Sequence, residues 1–142
     1  MLVQPYLNFD GRCEEAIEFY RGAVGAEVQM LLRFKDNPDP PGSSEGCGPD
    51  MPPGTENKVM HSSLRIGDSI VMASDCYCAG QPVFQGISLS LSVPDEAAAD
   101  RAFAALGAGG QVHMPLAKTF FSPRFGVVAD KFGVSWMVIA QK

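Results

Sequence analysis

The sequence contains two related halves. When residues 7–29 are moved forward by 82 positions, six of them meet an identical residue: Leu7, Glu14, Ala16, Gly25, Ala26 and Gln29 fall on Leu89, Glu96, Ala98, Gly107, Ala108 and Gln111. Towards the end of each half the offset falls to 66, which brings Gly67 onto Gly133 and implies a 16-residue insertion in the first half. This self-similarity predicts two copies of one structural unit.

Each half shows the same order of predicted elements. Strict alternation, β-branched residues and glycine or proline boundaries predict strands, and an apolar stripe at helical spacing predicts one helix per half. The strands fall at 2–9, 27–34, 59–66 and 69–74, then at 87–93, 111–115, 125–129 and 134–140. The helices begin near Asp10, the candidate N-cap of the first one, and near Asp95, and they end at Gly25 and Gly107. Residues 130–133 predict a tight turn with Gly133 at a positive φ. The predicted fold class is therefore α+β, with two tandem βαβββ modules.

One long segment interrupts the first half. Residues 35–58 contain six prolines and four glycines, a composition that excludes a helix or a central strand. Such a loop can cover a pocket, contact a second subunit or extend into solvent. We predict a single domain over 1–142, with a first module at about 1–78 and a second at about 84–142.

Composition narrows the class of protein. The net charge is −5 and the 11 basic residues are scattered, which disfavours nucleic acid as a partner. No apolar run approaches the roughly 18 residues of a membrane span. We therefore expect a cytoplasmic protein with no membrane partner, in which the four cysteines, Cys13, Cys47, Cys76 and Cys78, are free thiols.

Several motifs resemble a known family. PYLNFDG at 5–11, EEAIEFY at 14–20, HSSLRIGDSIVMASD at 61–75 and FGVVADKFGVSWMV at 125–138 resemble the PhnB-like branch of the glyoxalase/bleomycin-resistance/dioxygenase (vicinal oxygen chelate) superfamily, also described as 3-demethylubiquinone methyltransferase-like. The resemblance implies a cupped, mostly antiparallel sheet with helices on its convex face, and a homodimer. It leaves the activity open, because this fold carries isomerases, dioxygenases, thiol transferases and drug-binding proteins.

The resemblance also implies positions for a divalent metal. Enzymes of the superfamily commonly use His and Glu on the first and last strands of each module, which here correspond to Gln4–Tyr6, Gly86–Ser88, Val71 and Met137. Apolar Val71 and Met137 cannot bind a hard divalent ion through oxygen. We expect no metal and no other cofactor; a weak metal site of His61 with Asp75 or Glu56 is the less favoured alternative.

Alternation predicts a polar face on the sheet. His61, Ser63 and Arg65 share one face of their strand and Ser88, Ser90 and Ser92 share one face of theirs, either in a ligand cavity or on an ordinary solvated surface. Phe121 and Arg124 lie in loop-like sequence suited to a cavity mouth. The candidate pocket residues are Gln4, Tyr6, His61, Ser63, Arg65, Ser88, Phe121, Arg124 and Met137.

Two functions fit this pattern. The first is metal-independent binding of a small polar or anionic molecule on the concave face of the sheet. The alternative is a glyoxalase-like lyase, isomerase or dioxygenase for a small oxygenated metabolite, with His61 as base or ligand and Arg65 or Arg124 as an anion clamp. No glycine-rich cofactor loop supports methyl transfer, and no catalytic residue is assigned from the sequence alone.

Overall fold

The computed structural model describes residues 1–36, 54–75 and 82–142, and the chain divides into two compact units, Met1–Pro82 and Val83–Lys142. The first unit contains β1 (Tyr6–Asn8), α1 (Cys13–Val24), β2 (Glu27–Arg33), β3 (Val59–Ile66) and β4 (Ser69–Ser74), with short 3-10 turns at Phe34–Asp36 and Thr55–Asn57. The second contains β5 (Leu89–Val93), α2 (Glu96–Gly107), β6 (Gln111–Ala117), β7 (Phe125–Ala129) and β8 (Ser135–Ala140). Within the described ranges, no helix is both long and apolar enough to cross a membrane.

Both units have the same topology. The strand orders are β1-β4-β3-β2 and β5-β8-β7-β6. The first strand of each unit runs parallel to the last one, and the other neighbours are antiparallel. The predicted α+β class with two tandem βαβββ modules is confirmed, whereas the grouping of both modules into one domain stays a prediction.

In the first unit, α1 covers one face of the sheet. Its apolar stripe of Cys13, Ala16, Ile17 and Tyr20 is buried. Alternate β3 residues face this helix, as shown by the 4.0 Å separation between Cys13 Sγ and Ser62 Oγ. The intervening β3 residues therefore point to the opposite side. We call that side the open face of the first sheet.

The second unit repeats this arrangement. The α2 stripe of Ala99, Ala102 and Leu106 is buried. A Cβ atom added at Gly126 would lie 2.7 Å from the Phe103 ring, so the β7 residues in phase with Gly126 face α2 and this position requires a glycine. We call the other side the open face of the second sheet.

The N-terminus of α1 is capped from a distant strand. We expected Asp10 to be the cap, and this was wrong: Asp10 lies in the left-handed region with φ 46°, and the N-cap residue Arg12 makes no side-chain cap bond. Asp75, which follows β4 and is 1% exposed, accepts bonds from the N–H groups of Gly11 and Cys13 at 2.7 Å and from Val59 N–H at 3.0 Å. One buried carboxylate thus joins the helix to two strands.

The turn between β7 and β8 is also built on a buried aspartate. Asp130 accepts bonds from the N–H groups of Phe132 and Val134 and from the Trp136 indole N–H, all between 2.9 and 3.1 Å. Gly133 has φ +90°, as the predicted tight turn requires. The prediction for this turn is confirmed.

Strand register corrects the offset between the two halves. The strand pairing shows which residues of the two units correspond to each other. Tyr6 corresponds to Ser90 and Met30 corresponds to Met114, which is an offset of 84 residues rather than 82. Both second strands contain a bulge directly before that methionine, which places Met30 and Met114 at the same position of the two units.

The offset in the last strands is 65 rather than 66, because the second unit places Met137 where the first unit places Met72. A slip of one residue reverses the face of a strand residue. Val71 pairs with Leu64 and is buried on the side of α1, so the position corresponding to Met137 is Met72. The expected equivalence of Val71 and Met137 was wrong.

The segment between the second and third strands is described only at its ends. Short 3-10 turns at Phe34–Asp36 and Thr55–Asn57 border it. The predictions for residues 37–53, as lid, subunit contact or solvent-exposed loop, fall outside the described residues.

Asp75 offers a direct test of this architecture. Asp75→Ala leaves three N–H donors without their carboxylate, so we expect the free energy of unfolding to fall by about 3 kcal/mol or more, at about 1 kcal/mol or more for each donor. The matched control is Asp95→Ala, which removes one exposed cap bond to Ala98 N–H and should cost about 1 kcal/mol. Urea denaturation measures both; equal losses would contradict the role given to Asp75.

Candidate functional site

Tyr6 and His61 form a pair on the open face of the first sheet. The Tyr6 hydroxyl lies 3.1 Å from His61 Nδ1, and their ring centroids are 5.6 Å apart. β4 separates their strands, so the two side chains meet above it. Tyr6 is 44% exposed and His61 is half-buried. The pair is therefore fixed by packing but open to a small molecule.

The pair leaves one imidazole nitrogen for a ligand. If the Tyr6 hydroxyl donates to Nδ1, the proton of neutral His61 is on Nε2, which then donates; if Nδ1–H donates to the phenol oxygen, Nε2 accepts. Both arrangements present a neutral hydrogen-bonding group. This group can bind an oxygen or nitrogen atom of a ligand, or carry a proton.

Methionine side chains flank this pair, a feature that the sequence analysis missed. Paired residues form a row across the four strands, from Tyr6 through Met72 and Ser63 to Met30. Directly opposed residues in neighbouring strands face the same side, so both methionines share the open face with Ser63. Met30 is 48% exposed. The predicted polar face is thus a mixed surface in which polar groups alternate with apolar side chains.

Arg65 and Gln4 complete the predicted residues of the first unit. Arg65 Nη2 lies 2.5 Å from the Glu27 carboxylate of β2, and this hydrogen bond and the negative charge raise the pKa of the guanidinium. The charge of Arg65 is already compensated within the unit. Gln4 is half-buried just before β1.

In the second unit, Ser88 and Met137 lie on the open face of the second sheet. Ser88 Oγ is 2.8 Å from Ser135 Oγ. Met137 belongs to a row from Ser90 through Val127 to Met114, so both units place methionine at the second and fourth positions of the same row.

The structure separates Phe121 and Arg124 from each other. The Phe121 ring packs edge-on against Phe125, with centroids 5.0 Å apart, and remains 42% exposed. Arg124 instead donates from Nε to the Asp100 carboxylate of α2 at 2.9 Å, which places it on the side of the helix. Arg124 is therefore apart from the open face, and its charge is also paired.

The residues present do not fit a divalent metal centre. In the part of the chain that the structure describes, no group of three or more His, Cys, Asp or Glu side chains is arranged to hold an ion. Asp75, the suggested partner of His61, accepts hydrogen bonds from two backbone N–H groups at the N-terminus of α1 and from one at the start of β3. The absence of a metal nevertheless stays a prediction.

Cys13 is a free but protected thiol. Cys13 is the first residue of α1 and is buried against β3, and this burial, followed by the charge of Asp75, raises its pKa to about 12. A thiol with so high a pKa is almost entirely protonated at neutral pH and is a poor nucleophile. Cys47, Cys76 and Cys78 fall outside the described residues.

Comparisons with known proteins agree with this fold. The model of a family described as 3-demethylubiquinone-9 3-methyltransferase matches residues 2–139. The crystal structure of PA1353 from Pseudomonas aeruginosa is 37% identical, with a TM-score of 0.82 over 99% of this chain and 98% of that one. A PhnB protein from Bacillus cereus is 27% identical, with a TM-score of 0.76 over 99% of both chains.

A more distant structure shares the fold alone. A glyoxylase/bleomycin resistance protein/dioxygenase domain from Frankia sp. EAN1pec is 12% identical and superposes with a TM-score of 0.69 over 100% of this chain and 98% of that domain. At this level of sequence identity, the similarity shows a shared fold and does not indicate a shared activity.

The protection of Cys13 predicts its reactivity. At pH 8 we expect iodoacetamide to alkylate Cys13 on the order of a thousandfold more slowly than a thiol of ordinary pKa, because only a minute fraction is thiolate and the sulfur is buried. Peptide mapping by mass spectrometry separates Cys13 from the other three cysteines. The same peptide in urea is the control and should react fully; rapid labelling of folded protein would contradict the described burial.

Proposed function

The chain belongs to the 3-demethylubiquinone-9 3-methyltransferase family, in the glyoxalase/bleomycin resistance superfamily that its sequence predicted, and from this premise we propose that it binds a small polar molecule on the open face of the first sheet. The observation that carries the proposal is the hydrogen-bonded pair of Tyr6 and His61 on that face. The methyltransferase in the family description is not part of the proposal, because no glycine-rich cofactor loop occurs in the sequence.

The geometry favours a polar ligand over an anionic one. Both arginines that we expected to hold an anion are paired with carboxylates, Arg65 with Glu27 and Arg124 with Asp100. An anion would have to displace a carboxylate that is already in place. Hydrogen bonding to the pair of Tyr6 and His61 requires no such exchange.

An enzyme is the second candidate, and the same pair favours it. Neutral His61 can take a proton from a substrate C–H bond through Nε2 and return it to another atom of the same substrate, while Tyr6 fixes the orientation of the ring. This proton transfer consumes no co-reactant and corresponds to an isomerase. A glyoxalase-like lyase or a dioxygenase receives less support, because the residues that the structure describes do not form a metal centre.

Substitution of His61 tests the proposed site. In a panel of small neutral, anionic and cationic fragments read by ligand-observed NMR, we expect compounds whose affinity falls about threefold to tenfold in His61→Ala, as expected for the loss of one hydrogen bond. The melting temperature should remain nearly unchanged, because His61 is half-buried on the open face.

Arg124→Ala is the matched control, since Arg124 binds Asp100 of α2 and therefore lies on the helix side of the second sheet and not on an open face. Its fragment affinities should equal those of the parent protein. The proposal fails if no fragment binds, or if His61→Ala binds every fragment as tightly as the parent does.

We also propose a cytoplasmic homodimer. β2 is an edge strand of its sheet, and its exposed residue Val28 pairs with Leu64 and so lies on the side away from the open face, where it suits a subunit contact. By sedimentation velocity at about 20 µM, which exceeds the dissociation constant of a dimer held by about 8 kcal/mol, we expect a dimer that Val28→Glu dissociates. Val83→Glu, at an exposed valine outside the strands, should leave the dimer intact. A monomeric parent protein would overturn this part of the proposal.

A further inference from the structure

We propose that the open face of the first sheet selects a flat, uncharged molecule, namely an aromatic ring that carries a hydroxyl or carbonyl group. The inference rests on the proposed function and names the class of ligand for the same site. Three features carry it: the pairing of the charges at this face, the methionines of the central row, and the neutral hydrogen-bonding pair of Tyr6 and His61.

The charges near this face do not favour an ion of either sign. Arg65, which shares this face with His61 and Ser63, is held by Glu27. This pair is electrically compensated, so a carboxylate or phosphate gains only by breaking an existing ion pair. The net charge of −5 on the whole chain adds a further repulsion for anions. The surface is therefore complementary to an uncharged ligand.

The methionines favour a flat ring. Met72 and Met30 occupy the second and fourth positions of the row that begins at Tyr6, with the small Ser63 between them. Thioethers are polarizable and adapt to irregular shapes, and a sulfur–aromatic contact contributes about 0.3–1.5 kcal/mol. A ring that lies across this row also meets the Tyr6 ring, whereas a compact polar metabolite leaves both methionines exposed to water.

The hydrogen-bonding pair fixes the polar end of such a ligand. Tyr6 and His61 are joined at 3.1 Å, so one proton between them determines whether Nε2 donates or accepts. A ligand carbonyl suits the donating state and a ligand hydroxyl suits the accepting state. One oxygen atom on the edge of the ligand ring is thus sufficient to orient the ligand, and the rest of the ring contacts the methionine side chains of the row.

Three matched probes test the class of ligand. 4-Hydroxyacetophenone is flat, is largely uncharged at pH 7 and carries both oxygen groups; 4-hydroxybenzoate has the same ring but a carboxylate; 4-acetylcyclohexanol has the same oxygen groups on a ring that is not flat. By ligand-observed NMR we expect the first probe to bind at least about tenfold more tightly than the other two, a difference of about 1.4 kcal/mol or more.

Variants of the residues in the row that begins at Tyr6 test whether their side chains cause the preference for a flat, uncharged ring. Met72→Gln keeps the side-chain length but removes the thioether, and should weaken 4-hydroxyacetophenone roughly 2- to 10-fold. The control is Met60→Gln, because Met60 lies on β3 outside the row that contains Met72. Tyr6→Phe keeps the ring and loses the hydroxyl, so it should also weaken binding.

The outcomes separate this inference from the proposed function. If 4-hydroxybenzoate or the saturated alcohol binds as tightly as the aromatic ketone, the ligand class is wrong while a His61-dependent site can still stand. If Met72→Gln and Met60→Gln weaken binding equally, the row does not carry the preference and the inference is overturned. If none of the three probes binds, the inference is also wrong, and the fragment panel with His61→Ala decides the proposed function.

Discussion

The pairing register of β4 with β1 and β3 determines which side chains meet on the open face of the first sheet. Tyr6 and Ser63 both pair with Met72, and this brings residues that are far apart in sequence into one row. A shift of one residue in β4 would turn Met72 towards α1 and bring Val71 to the open face. Asp75, directly after β4, binds the ends of α1 and β3 and so resists that shift.

Much of the fold follows from local sequence patterns. Alternation along 59–66 correctly predicted that His61, Ser63 and Arg65 share one side of the strand, because a buried face leaves little freedom in a strand. The β-turn built on Asp130 was also predictable, since its aspartate and glycine lie within the turn itself. These features depend on neighbours in sequence and are therefore visible in it.

The features that the sequence did not reveal depend on distant partners. The cap of α1 comes from Asp75, more than 60 residues after the helix begins, so the nearby Asp10 was the natural but wrong candidate. The methionine rows depend on bulges in β2 and β6 that change the face of the residues after them. The ion pair of Arg65 with Glu27 likewise joins two strands across the insertion, and without it the arginine suggested an anion site.

The two units share a framework but differ in the chemistry of their rows. Both place methionine at the second and fourth positions, yet the first position is Tyr6 in one unit and Ser90 in the other. An aromatic hydroxyl beside an imidazole can orient a ring and relay a proton, whereas a serine hydroxyl supplies only a hydrogen bond. Duplication explains the common apolar surface, and the difference at the first position of the row is the reason that the proposed ligand site lies in the first unit. Tyr6 with its partner His61, and not the symmetry of the fold, distinguishes this row from the corresponding row of the second unit.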